Sequence, residues 1–394
     1  MKTIVNHWIV GGAVIAAVAA LSAAQPAGAA GAASPAWHFE CSGGVPNKLC
    51  WQTKTGETYD LWRSDDLAFW IHVDGYPKPG TGGVMEHPFT AGRRGFFKIT
   101  LGAPVPAGFA LIPAGSFQMG DQSDPLVGWS GERPVHAVQV SGFYMGKYEV
   151  TKEEWDAVRA WALNQHYTDL SAGNGTYAAK GANHPVHSIS WYDAAKWCNA
   201  RSEKEGLTPC YTVGGATYKT GFSDAVVCNW SANGYRLPSE AEWEKAARGG
   251  LSGQNFPWGN TIRASQANYY SDSYFAYDVS RTRSYHPSYK TGGYPYSSPV
   301  GSFAPNGYGL YDMAGNMHEW CWDWWGPYAA GSQTDSRGAT SGSNRVRRGG
   351  SWYGNADYCR VADRRSHYPG YGNLSIGFRV ARSSVPWQQQ ERTQ

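Results

Sequence analysis

Residues 234–244 read GYRLPSEAEWE and contain a complete helix start. Ser239 followed by Glu242 is a capping box, in which each side chain accepts a hydrogen bond from the other residue's backbone N–H. The helix should end at Gly249 and Gly250, because glycine accommodates the left-handed backbone at which many helices stop. The stretch therefore predicts one short helix with defined ends.

Two similar signals lie nearer the N-terminus. Thr151 with Glu154 forms a second capping box, and Ser190 caps a helix predicted from Ala194 to Glu205 and ended by Gly206. Between these helices the chain reads as loop and short strand. Its 49 Gly, 19 Trp and 25 Tyr, with few charges, predict tight turns and large flat side chains, and therefore an irregular fold.

The region before the helices has a different pattern. Residues 34–103 alternate short β-type runs, such as 59–62, 69–73 and 95–101, with turn signals. This alternation predicts a small β-sandwich followed by a linker at 104–110. The module lacks clustered His, Asp or Glu, so we interpret it as a spacer or adhesive element. The helix-containing region at 111–383 is then a second domain, followed by a tail at 384–394.

Residues 1–30 resemble a secretory signal peptide. Lys2 precedes an alanine-rich apolar run at 8–24, and small residues follow at 27–29. The alternative is a membrane anchor, which is disfavoured because the run is short and is interrupted by Gly11 and Gly12. We therefore predict a secreted, periplasmic or cell-surface protein, without membrane insertion once the leader is cleaved.

Charge and cysteine content narrow the partners and the chemistry. The 34 basic and 31 acidic residues create no field that would attract nucleic acid or a membrane surface. Seven cysteines in an exported chain predict disulfides. Cys41 can pair with Cys50 across a hairpin, and Cys210 with Cys228 around a Gly-rich excursion. Three others have no obvious partner. Structural pairing between any two of them is the default and a reactive thiol is the alternative: Cys198, Cys321 and Cys359.

Several segments together resemble the formylglycine-generating-enzyme family, also called sulfatase-modifying factors. They follow the family's order and spacing across most of residues 111–383: GSFQMG at 115–120, ERP at 132–134, YEVT at 148–151, GYRLPSEAEWE at 234–244, FPWGN at 256–260, NGYGLYD at 306–312, GNMHEW at 315–320, RGGSW at 348–352 and GFRV at 377–380. The resemblance implies an irregular α+β domain related to C-type lectins. It says less about function, which depends on the site.

The family's enzymes hold copper(I) between two cysteines five residues apart, just after a Gly-Gly-Ser. Oxygen activated there converts a substrate cysteine to formylglycine. Aligned on residues 349–351, the second cysteine is Cys359 and the first is replaced by Gly354, which has no ligand atom. Cys321 could supply a second sulfur, or could form a disulfide with Cys359 or Cys198. The resemblance thus makes Cys359 the catalytic candidate of an oxidase or related oxygenase, while the missing ligand disfavours copper.

The resemblance also implies structural calcium. Oxygen ligands close together in sequence suit this ion. The family's ligand segment matches Asp312, Gly315, Met317 and Glu319, with Asp312 where the enzyme has Asn. A solvated acidic loop is the alternative. The family's second calcium site matches Asn268 and Tyr269, but its Asp falls on Gly292, which cannot replace it.

The segment at 353–375 resembles the variable region of proteins diversified by retroelements, in which a reverse transcriptase miscopies adenines in Asn-rich codons. The constant positions of that pattern, here called the frame residues, are Ser351, Trp352, Ala356, Cys359, Arg360, Val361, Ala362, Arg364, Pro369 and Ile376. Between them lie the interposed residues: Tyr353, Gly354, Asn355, Asp357, Tyr358, Asp363, Arg365, Ser366, His367, Tyr368, Gly370, Tyr371, Gly372, Asn373, Leu374 and Ser375.

The interposed residues have the composition of a recognition surface. Lys, Glu, Gln, Met and Trp, which an AAC codon cannot yield by adenine changes, are absent from them. Tyr, Ser, Gly and Asn dominate, as they do in antibody loops. We therefore predict that all of them except Gly372 contact a ligand, either a protein or another surface ligand of unknown identity. The alternatives are an ordinary polar loop in a formylglycine-generating oxidase, or in a non-catalytic structural member of the family.

Overall fold

A computed structural model of the chain describes residues 4–10, 13–19, 37–42, 45–53, 58–64, 71–73, 78–79, 84–88, 95–102, 105–122, 128–175 and 181–384. The chain divides into two compact units. One comprises residues 1–107, 113–115 and 390–394, and the other comprises residues 108–112 and 116–389. Among the described residues no helix is both long and apolar enough to cross a membrane.

Within its described residues the first unit contains β-strands, and seven of them lie within residues 34–103, where the alternating pattern predicts strands. In chain order the strands are β1 (Ile4–Val10), β2 (Ala13–Ala19), β3 (Trp37–Ser42), β4 (Val45–Gln52), β5 (Thr58–Ser64), β6 (Ile71–His72), β7 (Lys78–Pro79), β8 (Val84–Pro88) and β9 (Gly95–Gly102). One sheet has the order β1-β2-β9-β5-β6, with β7 also on β5, and the other has the order β3-β4-β8. The sandwich arrangement and the cleavage of residues 1–30 remain predictions.

The second unit contains three α-helices and short strands within its described residues. The helices are α1 (Lys152–Ala162), α2 (Trp191–Lys204) and α3 (Glu240–Arg248). The strands are β10 (Phe109–Ile112), β11 (Gly115–Met119), β12 (His136–Val140), β13 (Phe143–Gly146), β14 (Tyr211–Val213), β15 (Ala216–Thr217), β16 (Val227–Cys228), β17 (His318–Trp324), β18 (Gln333–Thr334), β19 (Arg345–Arg348), β20 (Arg364–His367), β21 (Ile376–Gly377) and β22 (Ala381–Ser383). This confirms the irregular α+β fold.

All three predicted helices are present, each with a capping box. Helix α3 ends at Gly249, whose φ of 57° is left-handed as predicted. Helix α2 begins at Trp191 rather than Ala194. The reason is that the Asp193 carboxylate accepts hydrogen bonds from the Ser190 hydroxyl at 2.6 Å and the Ser190 N–H at 3.0 Å, completing a box that starts the helix one turn earlier.

A four-stranded sheet in the order β20-β19-β17-β21 positions the predicted recognition segment. Its inner face packs on α3 and is held by buried ion pairs. Arg364 donates two hydrogen bonds to Glu240, at 2.6 and 2.8 Å, and Arg348 bonds Glu244. Bidentate pairs of this kind fix geometry as well as charge. The sheet therefore has a rigid inner side.

The described cysteines of the second unit are all free thiols. Cys228 lies opposite Tyr211 in the β14–β16 pair, so it is close to Cys210, but no bond joins them. Cys321 and Cys359 belong to separate hydrophobic clusters. Cys321 therefore forms no disulfide with Cys359 or Cys198 in this structure, and its role as a second sulfur ligand stays a prediction. Cys41 lies on β3, whose side chains fall outside the described residues.

Candidate functional site

The segment at 353–375 crosses one edge of the second unit. It leaves β19 through Gly349 and Gly350, forms a 3-10 turn at Ala356–Cys359, follows β20, and returns through a loop to β21. Gly350 has a φ of 75°, and a Cβ there would lie 2.8 Å from the Cys359 sulfur. Only glycine fits, because both the backbone conformation and the space exclude a side chain.

Burial separates the two predicted sets of residues. Every frame residue is buried. Of the interposed residues, all but Asp357 and Asp363 are partly or fully exposed, and the most exposed large side chains are those of Tyr353 (61%), Tyr368 (59%), Tyr371 (44%) and Leu374 (40%). The structure thus places the frame residues in the interior and most of the interposed residues towards solvent.

Asp357 and Asp363 depart from the prediction, because they are buried to 5% and 1% exposure. Both carboxylates face Arg365. Asp363 accepts from the Arg365 Nε at 3.0 Å, and Asp357 from its Nη2 at 3.4 Å. Burial raises the pKa of Asp363 to about 6, although Arg365 opposes the shift. Both carboxylates hold the Arg365 side chain in place, and ligand contact by Asp357 and Asp363 stays a prediction.

Arg365 is the cation of the exposed surface. Its guanidinium lies over the rings of Tyr358 and Trp129, with centroid distances of 4.1 and 4.7 Å. Trp129 is 54% exposed although it is far away in sequence. The rings and the carboxylates restrict Arg365 to one orientation, in which Asp363 and Asp357 already accept from its Nε and Nη2.

A cluster of tyrosines extends this surface beyond the predicted segment. Tyr353 and Trp352 contact Tyr285, at centroid distances of 6.3 and 5.9 Å, and Tyr294 lies 5.4 Å from Trp352. Tyr296 lies 4.7 Å from Tyr294, with the two rings tilted by 34°. The sequence does not predict a role for Tyr285, Tyr294 and Tyr296, since they belong to no motif and only their aromatic character marks them.

Two frame arginines fasten the segment to distant parts of the chain. Arg360 donates to both oxygens of Glu132, at 2.7 and 2.8 Å, across 228 residues of sequence. Arg364 does the same to Glu240. Each pair is buried, so it holds the frame in place.

The residues predicted to hold calcium lie near a buried acidic group. Asp312 accepts from the Gly301 N–H at 2.6 Å through one oxygen, and its other oxygen is buried without a partner. Burial raises the pKa of Asp312 to about 6, with a contribution from Glu319. Glu319 bonds Arg379 through both oxygens, each at 2.7 Å.

A third carboxylate, that of Glu149, adjoins this group. It accepts from Asn316 at 2.6 Å and from the Met317 N–H at 2.9 Å. Burial, followed by Asp312 and Glu319, raises the pKa of Glu149 well above its ordinary value. Three carboxylates thus face the single guanidinium of Arg379, and this excess negative charge would be relieved by a bound cation.

The described residues contain no cluster of three or more His, Cys, Asp or Glu side chains arranged to hold a metal. A calcium ion here would therefore depend on the backbone carbonyls of Gly315 and Met317. At the second predicted position, Asn268 has one buried oxygen without a partner, while the Tyr269 hydroxyl contacts Asp278 at 2.7 Å. Gly292 is exposed and offers no side chain.

Cys359 does not have the setting of a copper ligand. Its sulfur packs among apolar residues and contacts the Asn355 carbonyl at 3.8 Å. Burial, together with Asp357 and Asp363, raises the pKa of the thiol well above its ordinary value. Copper(I) binds thiolates, so these surroundings oppose ligation, and Gly354 supplies no second sulfur.

The helices, the sheet and the buried Arg–Glu pairs define an α+β domain of the formylglycine-generating-enzyme type. The chain belongs to the family described as the sulfatase-modifying factor enzyme 1-like domain, whose model matches residues 103–384. A formylglycine-generating enzyme of Mus musculus is 33% identical over 288 residues, which cover 70% of this chain and 75% of the relative.

Two solved structures share the fold. Variable protein 1 of Treponema denticola has a TM-score of 0.55 and 32% identity, covering 75% of this chain and 98% of its own. PvdO from Pseudomonas aeruginosa has a TM-score of 0.51 and 29% identity, covering 70% of this chain and 94% of its own. The domain is therefore similar both to enzymes and to a variable protein, and the site must distinguish between these roles.

Proposed function

We propose that the second unit is a ligand-binding domain whose recognition surface consists of the exposed interposed residues, and that retroelement diversification varies them. The separation between a buried frame and exposed interposed residues supports this most strongly. Substitutions at exposed positions leave the core intact, so a surface of this kind tolerates changes that a frame cannot. The rigid aromatic rings of Tyr353, Tyr368 and Tyr371 provide contact area at low entropic cost.

A pair of displayed libraries tests this proposal. The first randomises Tyr353, Tyr358, Tyr368, Tyr371 and Leu374 in the full chain, and the matched control randomises the same number of frame positions: Trp352, Ala356, Cys359, Val361 and Ile376. We expect the surface library to fold and to yield binders to several unrelated target proteins, while the frame library mostly fails to fold. The proposal is wrong if a folded surface library yields no binders, or if both libraries fold equally well.

The sequence identity between this chain and formylglycine-generating enzymes supports a second candidate function, that of an oxidase. The residues present do not fit its copper site, since position 354 is Gly and the Cys359 thiol is buried. Incubation with copper, thiol, oxygen and a Cys-x-Pro-x-Arg peptide separates the two functions. We expect no aldehyde product, and its formation would overturn the binding proposal.

We also propose that calcium stabilises the domain and that the protein is exported to the periplasm, the cell surface or the medium. The unpartnered oxygen of Asp312 and the excess charge around Glu149 and Glu319 support the ion, which would neutralise them and link their loops. The leader-like residues 1–30 support export. The proposed ligand of the recognition surface is a protein or another surface molecule.

A further inference from the structure

The outer face of the β20-β19-β17-β21 sheet carries two arginines, Arg345 and Arg347, that form no ion pair with a described carboxylate. In the β19–β20 pair, Arg347 lies opposite Arg365, and Arg345 lies opposite His367. Residues two apart on a strand share a face, so these four side chains project to the same side. This side is opposite to that of Arg348, which is paired with a glutamate.

Arg347 is one of two arginines on this face with unpartnered guanidinium nitrogens. Its Nε is buried without a partner, and its guanidinium forms no hydrogen bond or ion pair with any residue that the structure describes. Arg365, by contrast, shares the carboxylates of Asp363 and Asp357. Buried polar groups are normally paired, so an unpaired guanidinium under a surface points to a missing partner.

Two imidazoles beside Arg347 share this deficit. The Nδ1 atoms of His318 and His367 are both buried without a partner. His318, which is 3% exposed, faces the ring of Tyr358 at a centroid distance of 6.0 Å, and His367 stacks on Tyr371 at 4.3 Å. Burial, with Arg347 next, lowers the pKa of both histidines.

Arg345, on the same face of the sheet as Arg347, adds a further positive charge. Arg345 is fully buried between the rings of Trp191 and Trp324, at 3.8 and 3.5 Å, and its Nε and Nη2 have no partner. No described carboxylate lies within ion-pair distance of Arg345 or Arg347. Asp323 and Asp363 act on them only from further away, so the positive charge is partly uncompensated and favours an anion.

We propose that a carboxylate-binding subsite is formed by Arg347 and His318, with His367 beside them. A carboxylate of the ligand that binds the recognition surface occupies this subsite. This inference rests on the proposed function. Arg347 and His318 lie outside residues 353–375, so diversification would leave them constant. A guanidinium binds a carboxylate through two parallel hydrogen bonds, which suits an acidic side chain or the C-terminus of a protein ligand.

Calorimetric titration of the intact chain with glutarate, at constant ionic strength, tests the subsite, with neutral glutaramide as the matched control probe. Wild type should bind glutarate and not glutaramide. Arg347→Gln should weaken glutarate binding about tenfold, the effect of losing one charged hydrogen-bonding group. Arg281→Gln, at an exposed position on a different loop, should leave it unchanged. Arg347→Lys keeps the charge without the planar fork and should give an intermediate affinity.

Three results would overturn the subsite: no glutarate binding by wild type, equal binding by Arg347→Gln, or tighter binding of inorganic phosphate than of glutarate, which would indicate a phosphate site instead. The libraries keep this test separate from the proposed function. Binders without glutarate affinity would overturn only the subsite, and Arg347-dependent glutarate binding without library binders would overturn only the diversified surface.

Discussion

Removing Arg360 should destabilise the second unit more than any change at an exposed interposed position. Arg360 and Glu132 are both buried, and their two hydrogen bonds measure 2.7 and 2.8 Å. Arg360→Ala leaves the Glu132 carboxylate buried with only the Trp129 N–H, at 3.1 Å, among its described donors. Breaking a buried pair in this way costs about 3–5 kcal/mol. That is a large fraction of the roughly 5–15 kcal/mol that stabilises a typical domain.

Urea unfolding of the intact chain, followed by tryptophan fluorescence, measures this cost as a shift of the transition midpoint at constant slope. Tyr353→Ala, at a 61% exposed position, is the control and should change stability by no more than about 0.5 kcal/mol. The double variant Glu132→Gln/Arg360→Met should be more stable than Arg360→Ala, since it leaves no unpaired charge. A cost below about 1 kcal/mol for Arg360→Ala, or an equal cost for Tyr353→Ala, would refute the distinction between frame and surface.

Three further predictions concern the acidic group and the thiols. The pKa of Asp312 is raised to about 6. The contribution of Asp312 to the free energy of unfolding is therefore complete below about pH 4 and is lost as pH rises through 6. In the presence of a calcium chelator, Asp312→Asn should remove about 3 kcal/mol of that pH dependence, and unchanged urea midpoints from pH 4 to 8 would contradict this prediction. Added calcium should raise the wild-type midpoint at pH 8, and no rise would argue against the ion. Titration with copper(I) and a chromophoric competitor should give the same copper affinity for wild type and Cys359→Ala. Copper binding by wild type that Cys359→Ala lacks would instead support the oxidase.

The fold could be predicted in large part because its signals are local or motif-based. The capping box at Ser239 and Glu242, and the left-handed Gly249, follow from neighbouring residues. Helix α2 starts one turn earlier than the prediction of Ala194, because Asp193 supplies the second half of its capping box.

The site was less predictable because it depends on contacts between distant segments. The frame pattern anticipated which residues are buried, but Asp357 and Asp363 fall among the interposed residues and are nevertheless buried with Arg365. Trp129 and the tyrosines around Trp352 come from loops that meet the segment only in the folded chain. The unpaired state of Arg347 likewise depends on cross-strand register, which no local pattern specifies.

Sequencing codons 340–384 from many cells of a clonal population tests the central claim most directly. If the surface is diversified for binding, substitutions should be concentrated at adenines of the interposed codons, should spare the frame codons and Arg347, and should trace to a near-copy of this segment beside a reverse transcriptase gene. A segment without variation and without a template copy, or substitutions spread equally over frame and interposed codons, would contradict it.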